Sequence, residues 1–432
     1  MREPALFNYA RESHAAARTE DFVFSQLIPY IGNKRKLLDL IYQAIRRTGV
    51  SQGTFVDLFA GSGVVARLAK RLDYRVLAND WEPYALEINR CAIDCNAQPS
   101  FAELGGYEHA LHTLNQSTPC AGWVTRHLCP RDDEHYDVRR DRLFFTRANG
   151  MRIDAMRERI AEWESEGKLG SLERAALLGP MLYAVSYTSN TSGVFKGFHN
   201  GWGGQTGTAL YRIKSRFALR PAAFWDNGQA NVTYCEDATE LAERLRREKL
   251  EIFYLDPPYN QHPYGSNYHV LNSIALWDKP ALSPTITGGD KAAIRTDWRT
   301  ERRSKYNYRK EAGAEFARLL KTIQARWILT SYSTDGLIPL EDLLGMVCER
   351  GRTDVVLKGY KRYRVSAQRF SKKPMNVEFV LVTDAGQSGS SATKADLVAA
   401  IRDAEARVLE SHPEGGTARS MRVYSQQRGL HL

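Results

Sequence analysis

"GTFVDLFAGSGVVARLAKRL", Gly53 to Leu72, decides the fold. Its opening residues are apolar and rich in β-branched and aromatic types, which suits a short buried strand. A glycine turn through Gly61 and Gly63 follows, and then apolar residues recur at helical spacing. "YRVLAND" repeats the strand and "PYALEINRCAIDCN" repeats the helix. Strand and helix alternating at this spacing predict a parallel sheet with right-handed crossovers.

Upstream, "LIPYIGNKRKLLDLIYQAI" turns at a glycine and predicts a helix over about 34–45. Downstream, the rhythm dissolves from Pro99 to Lys168, a polar stretch punctuated by Gly105, Gly106, Pro119 and Pro130. "MRIDAMRERIAEWESEG" within it reads as a charged helix. "SLERAALLGPMLYAVSY" is a further helix whose start lacks a capping box, and "TSNTSGVFKGFHNGWGGQTG" is a glycine-rich loop. The α/β rhythm resumes with "NVTYCEDATELAERLRREK", "LEIFYLDPPY", "GAEFARLLKTIQA" and "RWILTSYSTDGLI". "DVVLKGYKRYRV" and "MNVEFVLVT" read as two closing antiparallel strands. The expected division is a catalytic domain in two parts, 1–98 and 231–384, with an inserted region over 99–230. Residues 385–432 read as a Gly/Ser linker and a tail helix near 395–409, so truncation after Asp384 is expected to leave the chemistry intact.

The 432 residues carry 43% hydrophobic and 25% charged side chains, the composition of a globular protein. No apolar run is long enough to span a bilayer, and the N-terminal stretch lacks the apolar core of a secretion signal, so a cytoplasmic site is expected. The six cysteines form no CxxC pair, so buried or idle thiols are expected and no metal. The net charge of +10 favours a polyanionic partner. "RTDWRTERRSKYNYRK" carries seven Lys or Arg against two acids, and "KGYKRYRVSAQRFSKK" carries seven and no acid. Both interleave aromatic rings, which stack on bases while the cations track phosphates. Nucleic acid is the partner they indicate.

"DLFAGSGVVA" also satisfies a dinucleotide fingerprint, G-x-G-x-x-A with an acid some twenty residues on, and so allows a dehydrogenase. Asp57 argues against it. A carboxylate at the end of that strand is ill placed beside a diphosphate and well placed for an ammonium. S-adenosylmethionine offers an ammonium and a sulfonium and no phosphate. Asp80 at the end of the next strand is positioned for ribose hydroxyls, and Asp237 for an adenine amine. Each aspartate taken alone also reads as a helix N-cap.

The strand 251–255 ends on Asp256-Pro257-Pro258-Tyr259. An exocyclic base amine is a poor nucleophile because its lone pair is delocalised. Asp256 and the Pro257 carbonyl, stiffened by the proline pair, supply two acceptors for its N–H groups, and Tyr259 a ring to stack on the base. A base in a duplex must be flipped out to reach them.

"DLFAGSG" followed by "DPPY" resembles the alpha group of S-adenosylmethionine-dependent DNA adenine methyltransferases, which includes the DNA adenine methylases. The resemblance covers about 30–382. It implies a Rossmann-like methyltransferase sheet, mostly parallel with an antiparallel C-terminal strand, and an inserted, mainly helical target-recognition region. It implies cofactor contacts from Tyr30, Lys34, Asp57, Phe59, Gly61, Gly63, Asp80 and Asp237, and a catalytic clamp of Asp256, Pro257, Pro258 and Tyr259. It places Asn190, Phe195 and Lys196 near the target. With the basic stretches, it makes Arg302, Arg303, Lys361, Arg362 and Arg364 contacts to double-stranded DNA. Where many members have Glu-Pro-Phe and Gly-Gly-Lys, this chain has Asp57-Leu58-Phe59 and Gly32-Asn33-Lys34. The implied activity is transfer of a methyl group to adenine N6 at a specific DNA site, beside a cognate restriction endonuclease encoded separately. Alternatives are a ribosomal-RNA base methyltransferase, since some share the four-residue motif, and a DNA-binding protein with a dead catalytic fold.

Overall fold

The computed structural model describes residues 22–205, 207–261, 263–295, 297, 301–361, 375–388 and 391–410. Seven strands form one sheet in the order β3-β2-β1-β4-β5-β7-β6. Strands β1 (Thr54–Asp57), β2 (Arg75–Asn79), β3 (Val232–Tyr234), β4 (Ile252–Leu255) and β5 (Trp327–Ser333) run parallel. β7 (Met375–Asp384) is antiparallel to both β5 and β6 (Arg352–Lys361), so the sheet is mostly parallel with an antiparallel C-terminal hairpin.

Parallel strands are covered on both faces and therefore read as continuous apolar runs. β1 and β4 are buried throughout, and alternate side chains serve different cores. Phe55, Val76, Ile252 and Leu329 face the helices Leu38–Arg47 and Val64–Arg71. Val56, Leu77, Phe253 and Ile328 face Ala238–Arg244, Arg309–Thr322 and Leu340–Arg350.

A third core contains no strand. It joins helices Pro83–Asn89, Tyr107–Gln116, Trp123–Leu128, Arg147–Ser165, Ser171–Thr188 and His269–Leu276. The polar look of 99–168 conceals it, because several of its charged residues, Asp154 and Arg157 among them, are buried and bonded. Asp154, fully buried, accepts from the Gly122, Val124 and Thr125 N–H groups and the Thr125 hydroxyl. Arg157 donates to the Ile274 carbonyl at 2.9 Å, and Arg174 joins Glu87, Glu164 and the Ala275 carbonyl. These arginines lace the helical layer to the helix after β2 and the helix after β4. Ser171–Thr188 does have a start signal, one position earlier than expected: Glu173 reaches back to the Gly170 N–H at 2.8 Å.

The C-terminal helix Ser391–Glu410, expected as a tail beyond a linker, is docked against the catalytic core. Ile401 (0% exposed) and Leu397 (7%) are packed into the core with Leu343, Leu344 and Val347. Removing it would uncover that apolar face. Among the described residues no helix is long and apolar enough to cross a membrane, and no cluster of three His, Cys, Asp or Glu could hold a metal.

Candidate functional site

The carboxyl ends of β1, β2, β3 and β4 come together where the strand order reverses, with Asp57 in register with Ala78 and Tyr254. A crevice outside such a reversal is the natural ligand site of an open α/β sheet. The cleft there has a volume of about 1020 Å³, counting its mouth. Tyr30, Phe59, Asp80, Asp237, Asp256 and the Pro257-Pro258-Tyr259 elbow line it together.

The glycine turn after β1 requires its glycines. Gly61 has φ +52° and Gly63 +79°, the left-handed region. A Cβ on Gly61 would lie 2.7 Å from the Tyr30 ring, and one on Gly63 2.5 Å from Asn89 Oδ1. The Gly61 N–H donates to Asp80 Oδ2 at 2.8 Å, and the Glu82 N–H to Asp80 Oδ1 at 2.9 Å. Asp80 thus ties its own strand end to the turn. Asn79 extends the tie to β3: its amide donates to the Leu58 and Glu236 carbonyls, both at 3.1 Å, and accepts from the Glu236 N–H. Asp237 caps the helix Ala238–Arg244, accepting from Thr239 and Glu240 N–H groups, and also lines the cleft. The cap and the cleft position coexist in one residue.

Burial governs the charges. It pushes Asp80 up to about 6 and Glu82 up to about 7, each partly offset by hydrogen bonds, from backbone N–H groups for Asp80 and from Asn272 for Glu82. Asp57, 1% exposed, stands outside the cleft lining. Burial, reinforced by the nearby Asp256 charge, raises its carboxyl well above the ordinary range. Its Oδ1 accepts from the Phe59 N–H at 3.4 Å, while Oδ2 is buried with no hydrogen-bond partner. An unpaired buried carboxylate oxygen is costly unless a cation or donor reaches it.

Asp256 is held differently. Lys34, 3% exposed, places its Nζ 3.0 Å from Asp256 Oδ1 and 3.7 Å from Glu378 Oε2 of β7. The ammonium also lies 5.1 Å from the centre of the Tyr259 ring. Burial alone would lower the Lys34 pKa, but Asp256, Tyr259 and Glu378 together outweigh it and raise it. Asp256 is pushed up to about 6 by burial, with Lys34 pulling against the rise. Lys34, expected to touch the cofactor, does not line the cleft: its stem runs inward from the turn Lys34–Lys36, which Asn33 caps at the Arg35 N–H. It is instead the counter-ion of the clamp.

Tyr30, Tyr264 and Tyr268 form a triangle of rings, with the Tyr30 centroid 5.2 and 5.1 Å from the other two and those two 6.1 Å apart. The Tyr268 hydroxyl accepts from the Ile31 N–H at 2.8 Å, and the Tyr264 hydroxyl donates to the Ile31 carbonyl at 3.0 Å. The residues after the elbow thereby fix the strap that carries Tyr30 and Lys34. Phe59 meets Tyr306 edge-on at 5.4 Å.

The residues expected to face DNA divide. Lys196 is exposed on its loop. Asn190 and Phe195 are 0% and 1% exposed, which corrects their placement at a DNA surface. The Asn190 amide donates to the His199 and Gly201 carbonyls and its oxygen accepts from the Gly203 N–H, so it shapes the loop from within. Phe195 is packed among Phe144 and Phe145. Arg302 and Arg303 line the cleft, where Arg302 donates to the Trp81 carbonyl at 2.6 Å and Arg303 pairs with Glu311. Arg362, Arg364 and the side chain of Lys361 lie outside the described residues.

Sequence reasoning passed over Asn79 as a tie, Glu82, Tyr264 and Glu378. Glu378 had one signal, an acid set directly before the apolar run Phe379–Val382.

A family model for the D12 class of N6 adenine-specific DNA methyltransferases matches residues 30–287. The Type II methyltransferase M.FokI of Planomicrobium okeanokoites is 32% identical over 350 residues, which cover 80% of this chain and 50% of that protein. The Type II methyltransferase M.NlaIII of Neisseria lactamica is 31% identical over 343 residues, 78% of this chain and 92% of that protein. M.CviAII of Paramecium bursaria Chlorella virus 1 is 30% identical over 342 residues, again 78% of this chain and 93% of that protein. The chain therefore spans half of the first relative and nearly all of the other two. With the matched family covering more than half its length, the chain belongs to the D12 class of N6 adenine-specific DNA methyltransferases.

Proposed function

We propose that the protein transfers a methyl group from S-adenosylmethionine to the N6 amine of an adenine flipped out of double-stranded DNA. It does so at a specific sequence, in the cytoplasm of a prokaryotic or phage-infected cell, as the modification partner of a separate restriction endonuclease. The observation that carries the reading is one cleft that joins the elbow Asp256-Pro257-Pro258-Tyr259 to the carboxylates of Asp80 and Asp237, with unpaired Asp57 Oδ2 close behind.

The residues present fit such a methyl donor. Asp57 Oδ2 offers an anionic partner for its ammonium, Asp80 and Glu82 face its ribose hydroxyls, and Phe59 and Tyr30 give apolar walls. The donor, when bound, supplies an electrophilic methyl on a sulfonium. Ionised Asp256 and the Pro257 carbonyl accept from the two N–H groups of the amine, turning its lone pair toward that methyl. Tyr259 holds the ring plane. No strong base is required, because positioning and electrostatics supply most of such a rate enhancement. Lys196, Arg302 and Arg303 are the proposed cationic contacts for the DNA backbone near the mouth. Nothing in the family or the relatives favours ribosomal RNA.

The test is direct. Enzyme, S-adenosylmethionine and unmethylated genomic DNA are incubated, nucleosides are identified by mass spectrometry, and modified positions are mapped. N6-methyladenine at one recurring sequence is expected. Its absence on every DNA tried, or methylation confined to RNA, overturns the reading.

A further inference from the structure

We propose that Glu378 sets the strength of the Asp256 acceptor by competing with it for the single ammonium of Lys34. The inference rests on Asp256 accepting from the target amine, and it adds a positioning residue from the far, antiparallel side of the sheet.

One buried cation lies between two buried carboxylates. Lys34 Nζ is 3.0 Å from Asp256 Oδ1 and 3.7 Å from Glu378 Oε2. All three atoms are buried; the ammonium is within hydrogen-bonding distance of Asp256 and beyond it from Glu378, so it reaches Glu378 through charge alone. Glu378 is 4% exposed, and Asn376 fixes it by donating to Oε1 at 3.3 Å and to Ser333 Oγ at 2.7 Å. Its cross-strand neighbour Lys358 does not neutralise it: that ammonium goes to both oxygens of Asp39, at 2.8 and 2.7 Å. Lys34 is therefore its cation.

A buried carboxylate without a partner is expensive, so a glutamate here needs a purpose. Undivided, the Lys34 charge would pin Asp256 as a weak, over-stabilised anion. Shared, it leaves Asp256 ionised and more basic, a better acceptor for a weakly acidic N–H. The other groups facing Asp256 are Asp57 at the end of β1, Tyr254 on β4, Tyr259 in the elbow and Tyr264 beyond it. Among the described residues, Lys34 is the cation that faces them. Changing Glu378 therefore changes how much of that charge Asp256 receives.

Single-turnover methyl transfer, with enzyme saturated in S-adenosylmethionine and a duplex the wild type methylates, separates this from a merely structural ion pair. Wild-type transfer to adenine N6 tests the underlying reading by itself. Given that, Glu378→Gln is expected to move the acid limb of the rate down by roughly one pH unit, the size of effect a neighbouring like charge has. The plateau rate should fall roughly threefold, the consequence of a weaker acceptor. Cofactor and DNA dissociation constants should stay at wild-type values. Glu378→Asp, which keeps the charge but retracts it, should fall between the two and serves if the glutamine variant does not fold. An acid limb that stays in place or moves up in these variants, whatever the rate, overturns the proposal.

Discussion

Asp80 and Asp256 end strands on either side of β1, and burial lifts both carboxyls to about 6. They reach that value in opposite company. Asp80 is restrained by backbone N–H groups of Gly61 and Glu82 and, among the described residues, has no ion-paired cation. Asp256 is restrained by the Lys34 ammonium. Backbone donors hold a carboxylate in one place and leave its remaining lone pairs for a ligand, which suits binding. A side-chain cation, itself shared with Glu378, leaves the charge adjustable, which suits a group that must respond as a reaction proceeds. On the proposed function, the β1–β3 side of the sheet binds and the β4–β7 side acts.

The sharpest way to break this contrast is at Asp256. Asp256→Asn keeps the shape but loses the anion, and leaves the Lys34 charge to Glu378. Single-turnover rates should fall by roughly a thousandfold or more, in line with losing a key electrostatic group. Cofactor affinity by calorimetry should stay within a few-fold of wild type. A large loss of cofactor affinity with a preserved rate would reverse the roles assigned to the two sides.

The closing hairpin is backed by the C-terminal helix. Ile401 on the helix Ser391–Glu410 is buried against residues of Leu340–Arg350, which backs the closing hairpin. Ile401→Ala should destabilise the fold by about 2–5 kcal/mol in denaturant unfolding, the range for such core truncations. An unchanged midpoint would mean the helix is not docked.

On the binding side, Asp80→Ala removes the acceptor of the Gly61 N–H and a proposed ribose partner together. The cofactor dissociation constant should rise by roughly ten- to a hundredfold, as for hydrogen bonds to a charged group. The rate at saturating cofactor should change little. If the rate falls instead, Asp80 does more than bind.

How far these two sides could be read from sequence differs for a physical reason. The glycine turn, Asp57, Asp80 and the Asp-Pro-Pro-Tyr elbow are local: each is a strand end whose chemistry is written in adjacent residues. The Lys34–Glu378 contact joins the first turn of the catalytic domain to its last strand, and no local pattern encodes it. The buried polar residues misled in the same way. Asp154 and Arg157 look like surface residues until their backbone partners, supplied by other segments, are known, and Asn190 until its own loop closes around it. The tail helix was legible as a helix, but its partner surface exists only in the folded sheet.

The smallest effect expected is in the pH dependence of the binding side. Asp80 at about 6 and Glu82 at about 7 are both raised by burial, and both line the cleft. A group whose pKa rises on folding stabilises the protein below its unfolded value and loses that contribution as pH rises through the folded one. In the free enzyme, therefore, ionising these two carboxyls above about pH 7 costs stability. A ligand that donates hydrogen bonds to them recovers that cost and prefers them ionised. Cofactor affinity should fall, by roughly a few-fold to tenfold, as pH drops from about 8 to about 6, with proton release on binding. By the same linkage, the thermal shift given by a fixed cofactor concentration should be larger at the higher pH. In the Glu82→Gln variant the slope between those two values should shrink. A shift that is flat across the range, or grows toward acid, would show that the carboxylates of the β1–β3 side do not meet the ligand.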